Sequence, residues 1–233
     1  SYPFLFKSMT DVSDVIFVNI TCNYTSLIYV PDRVSNEHFS FNFSYIFDSF
    51  SFINCTAKNF IVENDHKFFE FRNSFFQFPE NDDKKSGGIK IHRFSDIYII
   101  NATFINAKSA NGTIYSESIY YTSNDNKATI ENCTFKRCSC MCFYIHSIYN
   151  NYANYYLRNC TFNQCTDITE KCVICVDKET YEINFFIDEC NFINCLGFKN
   201  GNLIKVDLVG ESSSSNPISI SNTIFQFDTV NEA

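Results

Sequence analysis

Alanine and leucine are scarce in this chain, with 7 and 6 copies among 233 residues. Helices favour those residues, so an all-α fold is excluded. Basic charge is short as well: 18 Lys and Arg face 26 Asp and Glu, for a net charge of −8. No Lys/Arg cluster offsets the repulsion from a phosphate backbone, and nucleic-acid binding is excluded on that ground. Long apolar runs are missing too. The longest, such as Ile97-Tyr98-Ile99-Ile100, are strand-sized and far below the ~18–20 residues that span a bilayer. Catalytic signatures are equally thin: there is no Gly-x-Ser-x-Gly elbow and no glycine-rich phosphate loop. Asp82-Asp83 sits beside Lys84-Lys85 in a polar insertion, and His38, His66, His92 and His146 are scattered. The sequence therefore points to no catalytic residue, no cofactor and no metal site.

What the chain does contain is sheet-forming residues. Ile, Val, Phe, Tyr and Thr account for 93 of the 233 positions, the set that packs well on a pleated surface. The hydrophobic fraction of 45% is enough for a real core.

An internal repeat organises these residues. Ile130-Glu-Asn-Cys-Thr-Phe-Lys-Arg-Cys138 recurs as Leu157-Arg-Asn-Cys-Thr-Phe-Asn-Gln-Cys165 and as Ile187-Asp-Glu-Cys-Asn-Phe-Ile-Asn-Cys195. Weaker copies extend the series to eight anchoring phenylalanines: Phe17, Phe52, Phe76, Phe104, Phe135, Phe162, Phe192 and Phe225, spaced by 24 to 35 residues. Five residues before each anchor the chain is always apolar (Val12, Phe47, Phe71, Ile99, Ile130, Leu157, Ile187, Ile220). That position has the wrong parity to share a strand face with the anchor, so something must break the alternation between them. Asn stands three before the anchor at Asn73, Asn101, Asn132, Asn159 and Asn222. Asn tolerates the left-handed conformation that a sharp corner requires.

Two to three short strands per repeat, one Asn corner and longer variable turns describe a coil of a parallel β-solenoid. One coil cannot close a core, and stacking at about 4.8 Å per rung would bury Phe on Phe. The fold class expected is all-β, a single-stranded parallel β-helix of about eight coils, formed by residues 1–233 as one domain. Eight rungs make a rod on the order of 40 Å long. A segment of a longer repeat protein is expected, with the remainder of its parent chain as a partner. The chain opens at Ser1 with no basic start followed by an apolar stretch, a pattern shared by a removed signal peptide and by excision from a longer parent.

Seven of the twelve cysteines fall on two columns of the repeat: Cys133, Cys160 and Cys190 two before the anchor, and Cys55, Cys138, Cys165 and Cys195 three after it. Buried thiols are the favoured reading; disulfides between neighbouring rungs are the alternative, at the short end of the usual geometry. Cys172-x-x-Cys175 lies in an apolar β-rich run, where its side chains are expected on opposite faces. A zinc site there would need Cys138, Cys140 or Cys142 from the previous rung, and no His pair stands nearby. Eight Asn-x-Ser/Thr sequons, at Asn19, Asn23, Asn42, Asn54, Asn101, Asn111, Asn132 and Asn159, favour the secretory pathway.

Phe52-Ile-Asn-Cys55, Phe104-Ile-Asn-Ala107, Phe192-Ile-Asn-Cys195 and Gly87-Gly88-Ile89 carry a family resemblance. The chain resembles the right-handed parallel β-helix repeats of large protist surface proteins, notably those of trichomonads. It is similar in logic to chlamydial polymorphic membrane proteins, whose repeats carry Phe-x-x-Asn and Gly-Gly-Ala-Ile motifs. Here Asn lies two residues after Phe, and a single Gly-Gly is present. The resemblance implies a right-handed coil, an extracellular or cell-surface location and an adhesion-type role. The function expected is a non-enzymatic adhesive, binding or spacer scaffold whose partner is a host or neighbouring-cell glycan or protein. Candidate binding residues are the outward-facing Thr103, Thr134 and Thr161, and the tyrosines Tyr149, Tyr152 and Tyr155. The alternative is a pectate-lyase-like polysaccharide lyase or hydrolase, although the Asn-Thr-Asp, Gly-His-Gly and Arg-Ile-Lys motifs of polygalacturonases are missing.

Overall fold

The computed structural model describes residues 4–5, 11–23, 26–31, 45–65, 68–80, 86–92, 96–109, 112–118, 126–147, 153–166, 172–178, 183–197, 203–208 and 218–227. Their strands form three eight-stranded sheets, visited in turn as the chain advances. Sheet one holds Phe4–Leu5, Ser26–Val30, Phe60–Asn64, Gly87–Ile91, Ile114–Ser118, Phe143–Ser147, Ile174–Lys178 and Ile204–Leu208. Sheet two holds Asp11–Ser13, Tyr45–Asp48, Phe68–Arg72, Asp96–Ile100, Asn126–Glu131, Ala153–Arg158, Ile183–Asp188 and Ile218–Ser221. Sheet three consists of three-residue strands, from Ile16–Val18 through Thr134–Lys136 to Ile224–Gln226. Pairing is parallel, each strand bonding its counterparts one repeat before and after. No helix occurs among the described residues. The fold is an all-β parallel solenoid.

Two residues separate each sheet-two strand from the sheet-three strand that follows, and the first of them turns the chain. Asp14, Ser49, Asn73, Asn101, Asn132, Asn159, Glu189 and Asn222 all have φ between 47° and 59°. The resulting half-turn reverses side-chain parity, which brings both the anchor and the residue five before it to the interior. A second corner follows the anchor by two residues, at Asn19, Asn54, Asn106, Arg137, Gln164 and Asn194, with φ between 51° and 62°. Neither corner breaks the ladder. Asn132 N–H donates to Arg158 O, and Asn106 N–H to Lys136 O, each one rung ahead. The backbone thus bends without stranding a donor.

The interior follows from this register. Phe17 stacks on Phe52, and the series continues through Phe76, Phe104, Phe135, Phe162, Phe192 and Phe225. Successive ring centroids are 4.5–5.2 Å apart and the planes lie within 20° of parallel. Phe52 through Phe192 are buried, whereas Phe225 on the final rung is 45% exposed. Beside the ladder, Phe47, Phe71, Ile99, Ile130, Leu157 and Ile187 fill the opposite wall. Gly87 marks the tightest passage: a Cβ there would lie 2.5 Å from the Phe60 ring and 2.7 Å from Gly112 O.

Candidate functional site

The residues expected at the corner form a side-chain ladder as well as a backbone one. Asn159 Nδ2 donates to Asn132 Oδ1 at 2.6 Å, Asn101 Nδ2 to Asn73 Oδ1 at 3.0 Å, and Asn222 Nδ2 to Asp188 Oδ1 at 3.0 Å. Sequon residues Asn101, Asn132 and Asn159 therefore sit inside this structural row. Thr103, Thr134 and Thr161 pair in register on sheet three, continued by Asn191, and are half-buried on its outer side.

Tyr155 is not on the surface. It shares the inward face of Ala153–Arg158 with Ala153 and Leu157, is buried, and pairs its hydroxyl with Ser116 Oγ at 3.1 Å. Its neighbour Tyr156 points outward and stacks on Phe186, with centroids 5.0 Å apart. Lys127 lies over the rings of both Tyr98 and Tyr156, at 5.7 and 5.4 Å, and Arg158 covers Tyr156 at 4.8 Å. The Tyr156 ring is thus engaged by Phe186, Lys127 and Arg158, which leaves mainly its edge for a ligand. Tyr149 and Tyr152 lie outside the described residues.

Among the described residues, the densest titratable cluster lies on the outer side of sheet one. Asp65, His92, Glu117, His146 and Asp177 occupy one register position on successive rungs. His92 Nε2 is 2.6 Å from Glu63 Oε1, its Nδ1 is 3.2 Å from Glu117 Oε2, and Lys90 Nζ is 3.3 Å from the same Glu117 oxygen. Tyr29 donates to Asp65 Oδ2 at 2.5 Å, and Tyr144 to Asp177 Oδ2 at 3.3 Å. Burial opposes charge on His92, but hydrogen bonds to Glu117 and Glu63 outweigh it and push the imidazole up to about 9. The bond from His92 in turn draws Glu117 down to about 2. Burial works against ionised Glu63, and His92 overrides it there too. With both ring nitrogens donating, His92 has no lone pair to act as a base. A glycosidase acid needs a raised carboxyl pKa, and the shifts at Glu63 and Glu117 go the other way. No motif announced this cluster. His92 reads as a lone histidine in sequence, and register alone supplies its partners.

The seven column cysteines are buried thiols outside any disulfide. Each donates to the carbonyl two residues before it, as Cys133 does to Glu131 O at 3.3 Å and Cys160 to Arg158 O at 3.2 Å. Those carbonyls already accept a corner N–H from the rung before, so each thiol uses the second lone pair. Ser74 and Thr223, in the same column as Cys133, make the equivalent bond with hydroxyls. The column accepts such a donor without requiring one, since Val15, Phe50 and Ala102 hold the same position on other rungs. Cys172 and Cys175 do not diverge as an extended strand would require. Both pack with Met141 and Tyr144, because Cys172 precedes the strand that begins at Ile174. Cys142 belongs to neither column, yet its Sγ and those of Cys138 and Cys165 all lie within 4.8 Å of one another, fully buried.

Three parallel sheets wound by two left-handed corners define the chain as a β-solenoid. No protein-family model, no curated protein and no solved structure matches it.

Proposed function

We propose that this chain is a rigid, non-enzymatic β-helix module of a secreted or cell-surface protein, serving as an adhesive or spacer scaffold. The observation that carries the reading is the direction of surface pairing. His92 joins carboxylates from the rungs on either side, Lys127 bridges Tyr98 and Tyr156, and Asn159 caps Asn132. Polar chemistry on the sheets is thus used to hold rung to rung, and recognition of a glycan or protein falls to the variable turns. The reading takes the coil as right-handed, of about eight turns. Scrambling residues 81–85, 121–125 and 148–152, with the strands that start at Gly87, Asn126 and Ala153 left intact, tests the proposal: loss of cell or glycan binding with an unchanged circular dichroism spectrum is expected. Retained binding would refute it.

One observation favours a second reading, a polysaccharide lyase or hydrolase: Glu63, Lys90, His92 and Glu117 converge on one outer face. Incubation with uronate and galactan polymers separates the two. Chain cleavage that disappears in Glu117→Gln would establish the enzyme and displace the scaffold.

A further inference from the structure

The geometry points to a closed, three-sulfur metal site formed by Cys138, Cys142 and Cys165, suited to a monovalent copper ion. The repeat alone does not account for these sulfurs. In the column of Cys138 and Cys165, the preceding rung carries Ala107, equally buried, so the slot folds without a thiol. Cys142 is aligned with Thr113 on one side and Val173 on the other, through the pairing of Phe143 with Ile114 and Ile174; that position needs no thiol either. Of the seven column thiols, Cys138 makes the loosest pair of carbonyl contacts, 3.7 Å to both Phe104 O and Lys136 O. Its sulfur is the least committed to the backbone.

Coordination chemistry then selects the ion. Three sulfurs each 2.3 Å from a central metal are about 4.0 Å apart in a trigonal plane, inside the 4.8 Å limit observed. Structural zinc almost always takes four ligands and catalytic zinc keeps an open position for water. The group holds three ligand atoms, all from fully buried residues, which suits neither. Soft thiolates serve Cu(I), zinc and iron–sulfur clusters; with zinc set aside, a buried set of only three sulfurs suits a single Cu(I) ion. On binding, three S–H bonds give way to three Cu–S bonds, the protons pass to solvent, and copper stays Cu(I). Because the sulfurs are enclosed by the coil, loading accompanies folding.

The test is to express the full chain in a reducing cytosol, in medium supplemented with copper or with zinc, and to purify it anaerobically. One copper per chain is expected, with near-ultraviolet sulfur-to-copper absorption. Cys142→Val and Cys165→Ala borrow the residues that neighbouring rungs already hold, and circular dichroism checks that they fold. Losing a ligand weakens binding by more than the roughly 10–100-fold that outer partners are worth, so both variants should emerge without copper. Cys55→Ala and Cys190→Ala, away from the cluster, should keep it. A fully reduced wild-type chain without copper would overturn the proposal. So would zinc in its place, copper retained by Cys142→Val, or a disulfide among the three cysteines.

Discussion

His92 and Glu117 stand on adjacent rungs of sheet one with Nδ1 and Oε2 3.2 Å apart, and each holds the other charged. This pair makes stability depend on pH from both sides. The His92 pKa is raised above its ordinary value near 6.5 to about 9. Its stabilisation is therefore complete below about pH 6.5 and fades as pH rises through 9. Glu117, lowered to about 2, contributes fully above its ordinary value near 4.5 and fades as pH falls toward 2. Urea midpoints of the wild type should fall between pH 6.5 and 9, while those of His92→Gln stay nearly level there. Parallel curves for the two proteins would refute the pairing.

The phenylalanine ladder should be steeply position-dependent. Phe162→Ala removes a fully buried ring stacked on both sides and is expected to cost about 3–5 kcal/mol. Phe225→Ala, at a ring that is 45% exposed, should cost well under half of that. Equilibrium denaturation of both variants measures the contrast.

At the second corner, Gln164 adopts φ 53° where Asn19, Asn54, Asn106 and Asn194 stand on other rungs. Asn tolerates that conformation better than Gln. Gln164→Asn should raise stability by about 0.5 kcal/mol, and Gln164→Val should lower it by about 1–2 kcal/mol. Thermal melts of the two variants should move in opposite directions.

Gly87→Ala forces a methyl group to within 2.5 Å of the Phe60 ring and 2.7 Å of Gly112 O. A loss of about 1–3 kcal/mol is expected. Phe60→Leu in the same chain should recover part of it, since one of the two clashes is then relieved.

The parts of the molecule legible in sequence are those that repeat. Phe135, Phe162 and Phe192 with their flanking Asn and Cys specify coil, register and interior, because stacking demands the same chemistry on every rung. The second corner is also written there, in the Asn of Phe52-Ile-Asn-Cys55 and Phe192-Ile-Asn-Cys195, while the parity of the apolar positions marks the first alone. Tyr155 was readable too. It stands two before Leu157, a core position, and so shares its face; a Tyr-rich stretch looks like a loop until that alternation is counted. His92 was not readable. Glu63, His92 and Glu117 meet because the intervening turns differ in length while their strands keep register. The sulfur cluster was half visible: Cys138 and Cys165 share a column, and only the three-dimensional path of 138–142 turns Cys142 toward them.

The central claim is a rod whose rungs stack at a fixed spacing, and spin-label distances on sheet three test it most directly. Ser51, Thr134 and Ile224 occupy the same outward register position on different rungs. The column thiols are buried, so label should attach chiefly at cysteines introduced on this face. At about 4.8 Å per rung, Ser51→Cys with Thr134→Cys should give roughly 14 Å, and Ser51→Cys with Ile224→Cys roughly 29 Å. Narrow distributions near those values, growing in proportion to the number of rungs, are the predicted result. Distances that do not grow with rung number, or broad distributions for both pairs, would contradict the solenoid and the scaffold role built on it.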